Sequence, residues 1–384
     1  MSGNIRNIPN GTRDIMFEEA ELFRSLEGRL TELYVKRGFS EIMTPAIEYY
    51  DVFETASTMS QEEMYKLTSP DGRLLVLRAD NTTPIARAAA SRLSEHIPTK
   101  LFYHQKVYRL SYGNKGRKSE IAQSGVEILG CGGLQSDLVC LITALETLSK
   151  VSDDYKLELG HVGFYNALIS ECSLEEGEAE KIRRLVDAKD VNKLSGLDAI
   201  KKIPFLFGGE EVFKDAEKLA DGNEKAMAAL SYLKKLYGAL CAAGYKDKIM
   251  IDLGIVHSLD YYTGCVFRGY MDGAGEPILA GGRYDTLISK FASDIPATGF
   301  GVNISEIAET LILKSAPEKK NIGELVAFDE NSFGDALKYV NNVNGAVLSH
   351  ISGEKDNLEY AKKNGAHALI VFENGEKKIT ELNK

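Results

Sequence analysis

Residues 100–130 read KLFYHQKVYRLSYGNKGRKSEIAQSGVEILG. Two runs rich in apolar and aromatic residues, 100–110 and 121–129, flank the polar, basic segment SYGNKGRKSE. That pattern predicts two antiparallel strands joined by a long loop. Working outward, residues 16–37 carry Leu22, Leu26, Leu30, Leu33 and Tyr34 at helical spacing, with Gly38 as the stop. Residues 74–78 (LLVLR) read as a buried strand, and 137–150 read as a helix. From about 170 to 245 the chain turns rich in Ala, Glu, Lys and Leu, which predicts an all-helical insertion. Strand character returns at 249–253 and at 260–270 (DYYTGCVFRGY), followed by a Gly-rich turn at 280–285 (AGGRYD). Residues 296–304 read as a strand entering a helix near 304–315, and SAPEKKN reads as a linker. The last segment reads β-α-β-α-β, with helices near 332–342 and 357–364, and predicts a small parallel sheet.

The 384 residues suffice for two or three domains, and 44% hydrophobic with 27% charged residues is an ordinary globular balance. With 46 basic and 56 acidic residues the net charge is −10, so the chain does not hold nucleic acid by bulk charge. The cysteines (Cys131, Cys140, Cys172, Cys241 and Cys265) show no CxxC spacing, and the histidines no HExxH, so no metal site is expected. The first thirty residues have no apolar signal core, and the longest apolar runs, such as 368–372, are too short to span a bilayer. A cytoplasmic protein without membrane contact is expected, and the Asn-x-Ser/Thr matches at Asn10, Asn81 and Asn303 are read as chance.

Two segments imitate phosphate loops. Gly113 to Ser119 lacks the GxxxxGK[ST] spacing, and Gly130 to Gly133 lacks GxGxxG, so the second reads as a turn. More informative are polar residues placed on apolar strands. Gln123 and Glu127 are four apart and share one strand face. Asp80 and Thr82, just after the strand at 74–78, likewise share a face. Arg109 ends a strand, and Tyr261 and Tyr262 open another. If these strands are neighbours, Asp80, Thr82, Gln123 and Glu127 form a small acidic pocket. Such a pocket suits an ammonium group and a neutral hydrogen-bonding ring, and Arg109 suits a carboxylate or phosphate. Taken singly, each of these residues reads more readily as a satisfied core polar group or a surface charge than as part of a site.

PNGTRDI at 9–15, GFSEIMTPAIEYYDVFE at 38–54, MYKLTSPDGRLLVLRADNTTPIAR at 64–87, YRLSYGNKGRKSEIAQSGVEILG at 108–130, LDYYTGCVF at 259–267 and AGGRYDTL at 280–287 carry a resemblance. Together they resemble histidyl-tRNA synthetase and, more particularly, its non-catalytic relatives, the regulatory subunits of ATP phosphoribosyltransferase. The resemblance covers roughly residues 5–315. It implies an α+β fold, the class II aminoacyl-tRNA synthetase-like antiparallel sheet flanked by helices and usually dimeric. The domains would then be 1–318, with the helical insertion at about 170–245 inside it, and a small α/β domain at 322–384.

Departures from the synthetase pattern carry the choice between the two. A synthetase has an arginine where this chain has His257, and a phosphate-binding arginine where it has Glu306. A carboxylate beside a triphosphate repels it. Asp80 stands where a synthetase usually has glutamate. Residues 320–384 hold eight lysines, no arginine and ten acids, a poor match for an anticodon binder. The resemblance therefore implies a subunit without catalytic residues or cofactors. It would join a short-form catalytic ATP phosphoribosyltransferase, support the first step of histidine biosynthesis and confer feedback by histidine, with no tRNA as partner. It further implies that Asp80, Thr82 and Gln123 hold the ligand amine, that Glu127 and Tyr262 hold the imidazole, that Arg109 faces the ligand carboxylate or the old ATP site, and that Tyr261 and Tyr284 line the pocket. A divergent histidyl-tRNA synthetase and a free-standing histidine sensor stand as the alternatives.

Overall fold

The structure is a computed structural model describing residues 7–57, 59–110, 118–172, 174, 177–194, 197–256, 261–291, 294–315 and 321–382. Two compact units divide the chain, residues 1–315 and 316–384. The first runs α1 (Phe17–Lys36), β1 (Ser40–Glu41), β2 (Ile47–Tyr49), α2 (Tyr50–Ala56), β3 (Lys66–Thr68), β4 (Leu74–Leu77), α3 (Thr82–Ser91), β5 (Thr99–Tyr108) and β6 (Glu120–Leu129). It continues with α4 (Leu134–Val151), β7 (Tyr155–His161), α5 (Val162–Ile169), α6 (Glu178–Asp187), β8 (Phe207–Gly208), α7 (Val212–Leu219), α8 (Glu224–Leu240) and β9 (Ile249–Asp252). β10 (Cys265–Met271), β11 (Leu279–Arg283), β12 (Ala297–Asn303) and α9 (Ile304–Lys314) complete it.

Among the described residues, nine strands form one sheet in the order β1-β5-β6-β12-β11-β10-β7-β9-β8. All pairs are antiparallel except β1 with β5 and β7 with β9. The hairpin of β5 and β6 pairs Thr99 with Leu129 through to Tyr108 with Glu120. Period-two alternation then sorts its residues between two cores. Phe102, Val126 and Ile128 join the main core, where Phe23, Leu26, Leu30, Leu33 and Tyr34 of α1 bury their stripe. Leu101, Tyr103 and Leu129 face the opposite side, packing with Ile85, Ala86 and Ala89 of α3 and with Tyr261 and Tyr284.

Several sequence expectations change. Residues 74–77 are a strand as expected, but not a buried one. β4 lies in a separate three-stranded sheet, β2-β4-β3, where Leu74 is exposed and Val76 buried. A run of aliphatic residues also arises where one sheet face stays open to solvent. The stretch 170–245 is not wholly helical, because Phe207–Gly208 pairs with β9 at the rim of the large sheet, and a π turn at Cys241–Tyr245 follows α8. Two residues of backbone pairing leave no compositional trace. Residues 280–285 are mostly strand rather than turn. The glycines serve close packing: an added Cβ would meet the Gly299 carbonyl from Gly281 and press on the Tyr262 ring from Gly282. Tyr261 and Tyr262 precede strand β10 instead of opening it.

The second unit runs β13 (Glu324–Phe328), α10 (Phe333–Asn342), β14 (Ala346–Leu348), α11 (Glu354–Lys363), β15 (Ala368–Glu373) and β16 (Glu376–Glu381). Its sheet order is β14-β13-β15-β16. The first three strands are parallel, but β16 turns back antiparallel, so the small sheet is mixed. Alternate residues of β13 and β15 supply two apolar faces: Leu325 and Leu369 pack with Ala361 of α11, and Val326 and Ile370 with Ala336 of α10.

Candidate ligand-binding site

The floor of the site is the face of the large sheet turned toward α3. Cross-strand register places Glu127 between Leu101 and Gly299, and Gly299 beside Gly282. The next row on this face is Tyr103, Gly125, Gly301 and Ala280. Glycine is required in these rows. A methyl at Gly299 would overlap the Glu127 carboxylate, and one at Gly125 would overlap the Tyr103 hydroxyl. The missing side chains give these two large groups room to lie over the sheet.

Glu127 is 1% exposed. Its Oε1 accepts from the Thr82 hydroxyl at 2.9 Å and its Oε2 from the Tyr284 hydroxyl at 2.5 Å. Burial pushes its carboxyl up to about 8; the Tyr284 and Thr82 hydrogen bonds pull it down, and the Asp80 charge adds to the rise. A carboxylate carrying two hydroxyl donors in an apolar shell is satisfied but remains costly to ionise. The Tyr261 ring packs 4.8 Å from Tyr262 and 5.7 Å from Tyr284, centroid to centroid, forming an aromatic wall. Burial raises all three phenols, which therefore stay protonated and act as hydrogen-bonding hydroxyls.

Asp80 and Thr82 do not share a strand face. Asp80 lies in the turn after β4, and Thr82 is the first residue of α3. Asp80 Oδ1 accepts from the Thr83 amide at 2.7 Å, and Oδ2 from the hydroxyls of Thr83 at 3.0 Å and Ser57 at 3.4 Å. It thus ties down the start of the helix. Burial raises the Asp80 carboxyl, while the Thr83 bonds and the Arg109 charge lower it. Arg109 is anchored by Nε donating to the Ala79 carbonyl at 2.8 Å. Gln123 Oε1 accepts from Asn81 Nδ2 at 3.2 Å.

Asp80, Thr82, Gln123, Glu127, Tyr261, Tyr262 and Tyr284 thus gather on one face, with Arg109 beside Asp80. Glu306 stands apart in the first turn of α9, where Asn303 Oδ1 accepts from its amide at 3.1 Å. There it pairs with Lys118 at 3.2 Å, and Lys118 also reaches Glu309 at 2.7 Å. His257 lies outside the described residues. Among the described residues, no group of three or more His, Cys, Asp or Glu could hold a metal ion, and no helix is long and apolar enough to cross a membrane.

Two residues escaped the sequence reading. Tyr103 is buried on the pocket face, where the Glu127 charge raises its phenol after burial has done most. Its alternation with Phe102 and His104 would have revealed it. Asn81 lies between two residues already singled out, but nothing in its spacing distinguishes it.

The histidyl-tRNA synthetase family model matches residues 11–307. The chain is 37% identical over 375 residues to the ATP phosphoribosyltransferase regulatory subunit of Clostridium kluyveri, covering 92% of this chain and 96% of that one. It is 40% identical over 320 residues to the subunit of the same name in Clostridium acetobutylicum, covering 79% and 78%. Among solved structures, one from Bacillus halodurans, described as an ATP phosphoribosyltransferase regulatory subunit/histidyl-tRNA synthetase, superposes with a TM-score of 0.85 at 30% identity, covering 96% and 99%.

Proposed function

This chain belongs to the histidyl-tRNA synthetase-like family of ATP phosphoribosyltransferase regulatory subunits, with a class II synthetase-like fold, and from that premise we propose that it is the non-catalytic, histidine-sensing subunit of such a transferase. Its partner is a short-form catalytic subunit, in the cytoplasm, at the first step of histidine biosynthesis. The observation that carries the sensing role is Glu127, buried and braced by Thr82 and Tyr284 beside an aromatic wall. A neutral imidazole presents one donor and one acceptor, and Glu127 with Tyr262 can answer both. The ligand ammonium goes to Asp80, Thr82 and Gln123, where the nearest charge is negative, and the ligand carboxylate to Arg109. Feedback then requires that histidine favour one state of the complex, by about 1–3 kcal/mol.

The non-catalytic role rests on Glu306. It puts a carboxylate, paired with Lys118, at the position where the synthetase pattern has a phosphate-binding arginine, and a triphosphate is stabilised by cations rather than carboxylates. The subunit binds no tRNA, in keeping with its net charge of −10. It self-associates as a dimer, as the apolar face of the β2-β4-β3 sheet suggests. Ile47, Tyr49 and Leu67 are exposed on that face, beside Leu75 and Leu77.

Titration calorimetry with histidine tests the pocket. The wild-type chain binds histidine, Glu127→Ala does not, and both still assemble with the catalytic subunit. Unchanged histidine affinity in Glu127→Ala removes the pocket assignment. Histidine-dependent exchange of pyrophosphate into ATP by the chain alone would restore the synthetase reading.

A further inference from the structure

Asn81 stands at the mouth of α3, where an asparagine ordinarily caps the helix through its side-chain oxygen. Here that role is taken: the Thr83 amide donates to Asp80, and the Asn81 side chain makes no capping bond. The residue is 1% exposed. Its Nδ2 donates to Gln123 Oε1, yet Oδ1 has no hydrogen-bond partner among the described residues. A buried acceptor left in this state is costly, and native structures rarely keep one without a use. Helix capping therefore does not account for a carboxamide at this position.

Its neighbours supply the use. Asn81 lies between Asp80 and Thr82 in sequence and touches Gln123, the three residues assigned above to a ligand amine. We propose that Asn81 is an amine-selecting residue of the pocket, whose carboxamide turns when a primary ammonium arrives. The ammonium takes over Gln123 Oε1, displaces Asn81 Nδ2, and the amide rotates about its terminal torsion to present Oδ1 as a further acceptor. That torsion is broad and roughly two-fold, so the turn needs no backbone movement. The inference rests on the histidine-binding reading and adds to it the group that Asn81 reads: the α-amine, not the ring or the carboxylate.

The test compares three ligands on two proteins: histidine, histamine (no carboxylate) and imidazolepropionate (no amine), on wild type and Asn81→Ala. Asn81→Ala is expected to weaken histidine and histamine by about tenfold, since a hydrogen bond to a charged group is at stake, and to leave imidazolepropionate within about twofold. The amine-free ligand also controls for folding, because a damaged pocket would lose all three. Asn81→Asp, which keeps an acceptor, is expected to restore binding of the two amines. Equal losses for all three ligands, or no loss for any, would overturn the role of Asn81 alone. A wild-type chain that binds none of the three overturns the histidine reading and this inference with it.

Discussion

Glu127 is the residue on which the proposed ligand chemistry turns, and its environment makes a prediction independent of any partner. Its carboxyl titrates near 8 in the folded chain against an ordinary value of 4.5. Between those values the folded chain holds a proton that the unfolded chain has released. Stability therefore falls as pH rises through that window and levels off above it. Glu127→Gln removes the titrating group while keeping an oxygen for one of the two hydroxyl donors. Relative to wild type, the variant should gain on the order of a few kcal/mol between pH 5 and pH 8, read from urea midpoints at each pH. Parallel curves for the two proteins would show that the carboxyl is not shifted. Sequence alone brought Glu127 and Gln123 together, because period-two spacing is a local rule. It misplaced Asp80 and Thr82, since a helix starts between them and the strand face ends earlier. The bracing of Glu127 by Tyr284 spans 157 positions, which no local pattern encodes.

At the level of elements, the proposed site exists because two neighbouring strands carry glycine on its face. Gly125, Gly299 and Gly301 sit on β6 and β12 where Glu127 and Tyr103 need space. A Cβ at Gly299 would also crowd the Val126 carbonyl at 2.5 Å, and backbone cannot swing aside. Gly299→Ala should cost about 1–3 kcal/mol of stability and abolish histidine binding, measured by urea denaturation and calorimetry on the same sample. A variant that binds histidine normally would show that this row is not the floor of the ligand site. Gly125, Gly299 and Gly301 fall in segments whose sequence reads as strand, whereas the adjacent glycines of 280–285 read as a turn, the commoner use of such a pair. Strand β11 also carries Arg283, whose guanidinium meets Asp137 at 2.7 Å and Ser136 at 2.7 Å. Asp137 in turn accepts from Tyr232 of α8 at 2.6 Å, so one buried cluster ties the pocket strand to the helical insertion. The resemblance supplied the motif AGGRYD, and the structure shows that its arginine is held by buried partners on α4.

At the scale of the larger unit, its described residues leave one face of a small sheet exposed. Ile47 is 51% exposed and Tyr49 43%, on the side of the β2-β4-β3 sheet opposite the buried Val76. Ile47→Glu places a charge on that face without touching the core. It should convert a dimer to a monomer at micromolar concentration while leaving the thermal midpoint of the monomer nearly unchanged, as read by sedimentation velocity and scanning calorimetry. A dimer of undiminished strength would place the self-association surface elsewhere. Composition excluded a bulk nucleic-acid binder, and the order of motifs carried the fold. The open apolar face stayed hidden, because LLVLR reads the same whether a neighbour covers it from the same chain or from another.

Regulation of a transferase in response to histidine is the role proposed for this chain. It is tested most directly by assaying a short-form catalytic ATP phosphoribosyltransferase alone and with this chain added, across a histidine titration. The added chain should raise turnover, and histidine should then inhibit the complex, with inhibition lost in Glu127→Ala. Identical rates with and without the chain at every histidine concentration, with no complex formed, would contradict it.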